Sequence, residues 1–146
     1  AVNWYETKHS CIVDHVLLLQ PTSPLRRIQD ITSALKQYRE NNLDSLVGVT
    51  PMWEHPFECI EASEDGSEWS YLKKPSELVT RRQDYQGQFG FIDGSIYIAS
   101  VDFVKENHDF VVEGKTFPFF IDQRYSIDID EPVDLKMAEL LIKNFK

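Results

Sequence analysis

The chain has 146 residues, a formal net charge of −9, 42% hydrophobic residues and 27% charged residues. That length suffices for one domain with a sizeable core, and the composition is that of an ordinary globular protein. The acidic balance argues against a non-specific binder of nucleic acid or of an anionic membrane surface, and no apolar run is long enough for a membrane-spanning helix.

The opening residues carry no signal-peptide pattern and no helix start signal. Ala1 to His9 read instead as the last turns of a helix, and the chain as the C-terminal piece of a longer protein. Cys11 and Cys59 follow no metal-ligand spacing and read as reduced, buried thiols, which makes the cytoplasm the default compartment. Asp14 to Gln20 is a short, mostly apolar run, expected to be a strand buried on both faces. Ser23 and Pro24 suit the N-cap and first position of a helix carrying Ile28, Ile31, Leu35 and Tyr38 on one stripe and stopping near Asn41 and Asn42. Ser45 to Pro51 is the next strand, so the two strands are expected to pair in parallel through a right-handed crossover. The polar loop after the first strand brings Gln20, Thr22, Ser23, Arg26 and Arg27 to a helix N-terminus, a place that favours anions. Taken alone, a well-capped turn with surface arginines explains it.

Phe57 to Ala62 and Trp69 to Leu72 flank a segment with Asp65-Gly66, a hairpin signal. His55, among bulky neighbours, reads as an ordinary packed or surface histidine. Lys73 to Gly90 is polar without periodicity and reads as a loop or arm. Phe91 to Ala99 reads as a turn and strand, Val101 to Asn107 as a short helix, and Phe117 to Ile121 as an edge strand because of Pro118.

Ser126-Ile127-Asp128-Ile129-Asp130 then predicts a strand whose alternation sends Ile127 and Ile129 to the core and both aspartates to one side. Pro132 suits the first turn of a closing helix, with Asp130 or Glu131 near its N-cap and Asp134 in its first turn. That helix places Leu135, Ala138, Leu141, Ile142 and Phe145 on one docking face. Two hard oxygen donors at a strand end are what a Mg²⁺ carrying a nucleotide phosphate requires. On the D-x-D alone, a solvated helix cap is the better reading.

The segments Leu18-Leu19-Gln20-Pro21-Thr22-Ser23-Pro24-Leu25-Arg26 and Ser126-Ile127-Asp128-Ile129-Asp130 lie about a domain apart, with Arg82-Gln83 and Gly94-Ser95-Ile96-Tyr97-Ile98 between them. In this combination the chain resembles the acylneuraminate cytidylyltransferases over nearly its whole length. The resemblance implies an α/β, Rossmann-like nucleotidyltransferase fold. Its mixed, mostly parallel sheet would be flanked by helices, with a hairpin and dimerisation arm inserted over about residues 57–90 of a single 1–146 domain portion. It implies a homodimer that transfers CMP from CTP to the anomeric hydroxyl of a nine-carbon 2-keto sugar acid, releasing pyrophosphate with Mg²⁺ or Mn²⁺ as cofactor. By the same resemblance, Asp128 and Asp130 are metal ligands, Asp130 the stronger candidate. Gln20 and Tyr97 contact the sugar, Ser23 and Arg26 shape the pocket, and Arg82 reaches a substrate from the arm, even in the partner subunit's site. The bound nucleotide and sugar supply the reacting groups, so no protein nucleophile is needed.

The family's Gly-Ser-Lys loop for the triphosphate has no counterpart in these 146 residues, which implies a missing N-terminal half holding most of the CTP site. Asp93-Gly94-Ser95 stands where family members often carry Asn-Gly-Ala, and Glu58 where some carry lysine, so the particular acid stays open. A metal-dependent glycosyltransferase also uses a D-x-D, but leaves the Gln20 to Arg26 motif unexplained. An aspartyl phosphatase would want Thr or Val where Pro132 stands. A truncated fragment acting only through association of its arm is the non-catalytic alternative.

Overall fold

A computed structural model of the chain describes residues 1–52, 54–74 and 88–145. They fall into two units, one of Ala1–Thr50 with Ile92–Lys146, the other of Pro51–Phe91. In order, the elements are α1 (Val2–His9), β1 (His15–Leu18), α2 (Ile28–Glu40), β2 (Ser45–Pro51), β3 (Ile60–Ala62), β4 (Trp69–Tyr71), β5 (Gly90–Ser100), α3 (Val101–Asn107), β6 (Phe117–Phe120) and α4 (Pro132–Asn144).

The first unit is α/β, with a mixed four-stranded sheet ordered β1-β5-β2-β6. β1 pairs antiparallel with β5, Leu18 opposite Tyr97, and β2 pairs in parallel with β6, Leu46 opposite Phe117. The expected parallel pairing of β1 with β2 is therefore corrected, because β5 lies between them. The expected burial of the first strand is corrected too. As an outer strand of this sheet, β1 leaves His15, Leu17 and Leu18 exposed. A cavity of about 500 Å³ lies against it, lined by Val16, Leu17, Leu18, Val101, Val104 and Phe110 among others, and by none of the candidate site residues.

The centre of the sheet forms the core, where apolar side chains leave water at roughly 25 cal/mol per Å² of area. Leu46, Ile96 and Ile98 are fully buried, with Ala34 and Tyr38 of α2 and Ile121 after β6 against them. Six of the seven residues of β2 are buried, as a mostly apolar run in a central strand should be. Ile31 and Leu35 pack against this cluster, whereas Ile28 stays 81% exposed at the first turn of α2.

α2 begins at Ile28, with Arg27 as its N-cap, not at Pro24. Ser23 and Leu25 are buried, and the Arg26 guanidinium donates to the carbonyls of Gln20 and Ser95. Those contacts hold residues 20–27 as turns and delay the helix. α3 starts as expected, and the Ser100 hydroxyl accepts from the Phe103 amide at 3.1 Å.

The expected strand at Ser126 to Asp130 does not join a sheet. Its residues are irregular, and Ile127 and Ile129 are half-buried rather than core residues. The segment is fixed by the Ile129 amide, which donates to the Thr22 carbonyl at 2.9 Å. α4 follows with Glu131 at its N-cap and Pro132 in the first turn. The Asp134 carboxylate accepts from the amides of Glu131 at 2.8 Å and Asp130 at 3.1 Å. Its docking face is shallower than the pattern suggested: Ala138 is buried, but Leu135, Ile142 and Phe145 remain 49%, 53% and 40% exposed.

In the second unit, β3 and β4 pair antiparallel as the Asp65-Gly66 signal predicts, Ile60 opposite Tyr71. Asp65 caps the turn by accepting from Ser63 and Ser67, and Gly66 supplies its positive φ of 68°. The His55 ring accepts from the Phe57 amide and packs against Phe57 and Phe89, in keeping with an ordinary packed histidine. Both cysteines are free thiols, but Cys11 is exposed and Cys59 half-buried, which corrects the expectation that they are buried. The proposed arm falls largely on 75–87, outside the described residues. No helix among the described residues is long and apolar enough to cross a membrane.

Candidate functional site

The site assembles around a turn in β5. Gly94 has φ +73°, a conformation that costs an L side chain and suits glycine. The Asp93 carboxylate closes the turn: its Oδ1 accepts from the Ser95 amide at 3.0 Å and from the Ser95 hydroxyl at 2.6 Å. β2 supports this turn from beside it. A Cβ added at Gly48 would lie 2.9 Å from Ser95 Oγ and 3.1 Å from Asp93 Oδ1. A residue at 48 with any side chain would push against the turn.

Gly94 lets two distant segments approach the strand. A Cβ there would lie 2.2 Å from Gln20 Oε1 and 3.9 Å from Asp128 Oδ2. The Gln20 side chain thus lies over the turn, with the Asp128 carboxylate close by. Arg26 locks the arrangement from the other side, donating from Nε to the Ser95 carbonyl at 2.5 Å and from its terminal nitrogen to the Gln20 carbonyl. Burial lowers the pKa of the Arg26 guanidinium from its ordinary value, and the Asp93 charge opposes that shift.

Tyr97 lies further along the same strand, half-buried, with its ring edge-on to Phe110 at 6.0 Å between centroids. Burial raises the pKa of its phenol, and the charges of Asp93, Asp128 and Asp109 raise it further. The hydroxyl therefore stays protonated and able to donate well above neutral pH.

The structure thus brings Gln20, Arg26, Tyr97 and Asp128 to one place. Ser23 lies in the same loop, buried, with its Oγ lacking a partner among the described residues and its amide donating to the Gln20 carbonyl at 3.4 Å. Asp130 is exposed and only its amide is engaged, through Asp134. Since residues 126–130 form no strand, alternation does not align its carboxylate with that of Asp128. Arg82 lies outside the described residues.

Sequence reasoning passed over Asp93 and Gly94 as site-building residues. The signal was the Asp-Gly pair beside an apolar run, which marks a turn. Asp93 is 5% exposed, and its Oδ2 has no hydrogen-bond partner among the described residues.

No cluster of three or more His, Cys, Asp or Glu side chains is arranged for a metal among the described residues. The available donors are carboxylate and amide oxygens from Asp93, Asp128 and Gln20. That set fits a hard cation such as Mg²⁺, which takes one or two protein carboxylates and fills its other positions with water and substrate phosphate.

A further cluster braces the Asp128 segment. Arg27 makes a two-pronged ion pair with Asp30 at 2.7 and 2.8 Å and lies 3.8 Å over the Tyr125 ring. Arg124 pairs with Asp122. Together they tie the start of α2 to the turn that precedes Ser126.

No family model matches the chain. Among curated proteins, it is 35% identical over 133 residues to CMP-N,N'-diacetyllegionaminic acid synthase of Legionella pneumophila, covering 89% of this chain and 54% of that protein. It is 30% identical over 138 residues to post-translational flagellin modification protein B of Campylobacter coli, covering 94% of this chain and 57% of that protein. N-acylneuraminate cytidylyltransferase of Streptococcus agalactiae is 27% identical over 115 residues, with 78% and 27% covered. The chain spans about half the length of the first two relatives. These matches make the chain similar, over most of its length, to part of the acylneuraminate cytidylyltransferases and their relatives.

Proposed function

We propose that the chain carries the acid-sugar and metal side of a cytidylyltransferase site, within a Rossmann-like nucleotidyltransferase fold. The observation that supports this best is the convergence of Gln20, Arg26 and Asp128 on the Gly94 turn, beside Tyr97. The reaction is transfer of CMP from CTP to a nonulosonic acid. The acid's anomeric oxygen bonds to the α-phosphorus and the bond from that phosphorus to the bridging oxygen breaks. Pyrophosphate leaves with the electron pair, and the hydroxyl proton passes to solvent.

In this reading Gln20 and the protonated Tyr97 hydroxyl bind the sugar's polar groups and fix its orientation. Holding the two reactants in attack geometry is itself a large part of such catalysis. Arg26 and the buried Ser23 shape the wall behind them. Asp128, with Asp130 two residues on, would hold a Mg²⁺ or Mn²⁺ ion, which would supply charge stabilisation for the nucleotide phosphate. Arg82, which lies outside the described residues, is the remaining candidate to meet a substrate anion, and the protein acts as a homodimer. The triphosphate is held by a preceding segment of the natural protein.

Pyrophosphate release from CTP tests the reading, assayed on the protein at its natural length with N-acetylneuraminate and N,N'-diacetyllegionaminate. Release that requires both CTP and one of the acids supports it. Consumption of a nucleotide sugar without pyrophosphate release would replace it with a glycosyltransferase.

A further inference from the structure

Asp128 is carried by a segment with no regular structure of its own. Residues 126–130 join no sheet, Ile127 and Ile129 are half-buried, and the Asp128 side chain is exposed. Even so, its Oδ2 lies 3.9 Å from where a Cβ on Gly94 would stand. The bond from the Ile129 amide to the Thr22 carbonyl pins the segment just after Asp128. One pinned point leaves a segment free to pivot about it. A second fixed point, on the other side of Asp128, removes that freedom and aims the carboxylate.

Tyr125 supplies that point. Its amide donates to the Asp122 carbonyl at 2.9 Å, and its half-buried ring meets side chains from α2 and from the end of α4. The Arg27 guanidinium lies 3.8 Å from the ring centroid, and the Phe145 ring lies 4.7 Å from it, tilted by 36°. Arg27 is itself fixed. It stands at the N-cap of α2, and its Nε and a terminal nitrogen donate to Asp30, which is 8% exposed. A guanidinium held by a two-pronged carboxylate offers a rigid, flat face, and an aromatic ring is a favourable partner for it. The ring thus joins the start of α2 to the end of α4, just before the segment that bears Asp128.

We propose that Tyr125 is a positioning residue for Asp128, its ring held by Arg27 and Phe145 so that the carboxylate stays at the Gly94 turn. The catalytic consequence rests on the preceding reading, in which Asp128 serves cytidylyl transfer. The role belongs to the flat ring. An aliphatic side chain of similar size would fill the space without offering a face to the guanidinium.

Tyr125→Leu and Tyr125→Phe are compared in two measurements. The first is hydrogen exchange at the Ile129 amide of this chain. Tyr125→Leu should speed it by about fivefold, the scale of one cation–π or aromatic contact, with amides in the centre of β2 unchanged. Tyr125→Phe should stay within about twofold of wild type, because both ring contacts remain. The second is pyrophosphate release by the protein at its natural length, with CTP and N-acetylneuraminate or N,N'-diacetyllegionaminate. Tyr125→Leu should raise the half-saturating magnesium concentration by about fivefold and leave KM for the acid within about twofold, since Gln20 and Tyr97 are held by other contacts. In an Asp128→Asn background the same change should lower turnover by less than about twofold further, because its route of action is gone.

Unchanged Ile129 exchange in Tyr125→Leu overturns the inference and leaves the substrate reading standing. An effect of Tyr125→Phe equal to that of Tyr125→Leu also overturns it, since the ring is then not the holding group. Equal losses of turnover from Tyr125→Leu with and without Asp128 do the same, and make Tyr125 a residue of general stability. Should Tyr125→Leu not fold, Phe145→Leu, at a position 40% exposed, removes one ring contact and takes its place in both measurements. No pyrophosphate release by wild type with either acid overturns the substrate reading, and the catalytic consequence of Tyr125 with it, whatever the exchange shows.

Discussion

Gly94 is the residue on which the site's geometry turns. Its φ of +73° would cost an alanine about 1–2 kcal/mol. The new Cβ would also displace Gln20 Oε1, now 2.2 Å from that position. Gly94→Ala is therefore expected to lower stability by about that amount in urea melts and to weaken sugar-acid binding through the shifted Gln20. Asp128→Asn and Asp130→Asn should separate function from folding. Both residues are exposed, and surface changes of this kind stay within roughly ±0.5 kcal/mol. Their thermal transitions should match wild type while, on the proposed reading, pyrophosphate release by the protein at its natural length falls by about two orders of magnitude or more. Retained turnover in both would refute the metal assignment. Tyr97 offers an optical check: its phenol should ionise above the ordinary tyrosine range, and removing the Asp93 charge should bring it part of the way back.

At the scale of elements, the sequence announced some pieces and concealed others for identifiable reasons. β2, α3 and the β3–β4 hairpin follow from local signals: a continuous apolar run, a serine cap and an Asp-Gly turn. The start of α2 was misread because Ser23 and Pro24 look like a helix cap. A long-range contact, Arg26 to the carbonyl of Ser95, overrides that local preference. The strand expected at 126–130 failed likewise, since alternation reports a face only where a neighbouring strand exists to pair with. Of the site, Gln20, Arg26, Tyr97 and Asp128 were legible through motifs. Asp93 was not, because its importance lies in burial and in an unpartnered oxygen, which no spacing encodes. The cap of α4 gives an element-level test. Asp134→Ala removes acceptors from two amides and should cost about 1 kcal/mol in chemical denaturation, without altering ligand affinity.

For the whole molecule, acid sensitivity has a readable origin. Asp122 is held at about 2, below its ordinary 3.8, chiefly by the hydrogen bond from the Arg124 side chain. A carboxylate depressed on folding stabilises the fold above its ordinary value, and that support is lost as pH falls through its folded value. Asp65 behaves the same way, held at about 2 by the Ser63 and Ser67 hydrogen bonds. NMR titration should find both carboxyls still ionised near pH 3, with Arg124→Gln returning Asp122 toward the ordinary range. The central sheet sets the larger scale of stability. Ile98→Ala, at a fully buried position, should cost about 2–5 kcal/mol in denaturant melts.

A backbone bond from the Ile129 amide to the Thr22 carbonyl joins the two loops that bear Gln20 and Asp128. It therefore acts as a latch whose state a single proton can reveal. If the loops part, the Ile129 amide meets solvent and exchanges with deuterium, while amides in the centre of β2 stay protected. Its exchange rate measures how often the site is dismantled while the fold persists. A ligand bridging Gln20 and Asp128 should slow that one amide before it slows the core.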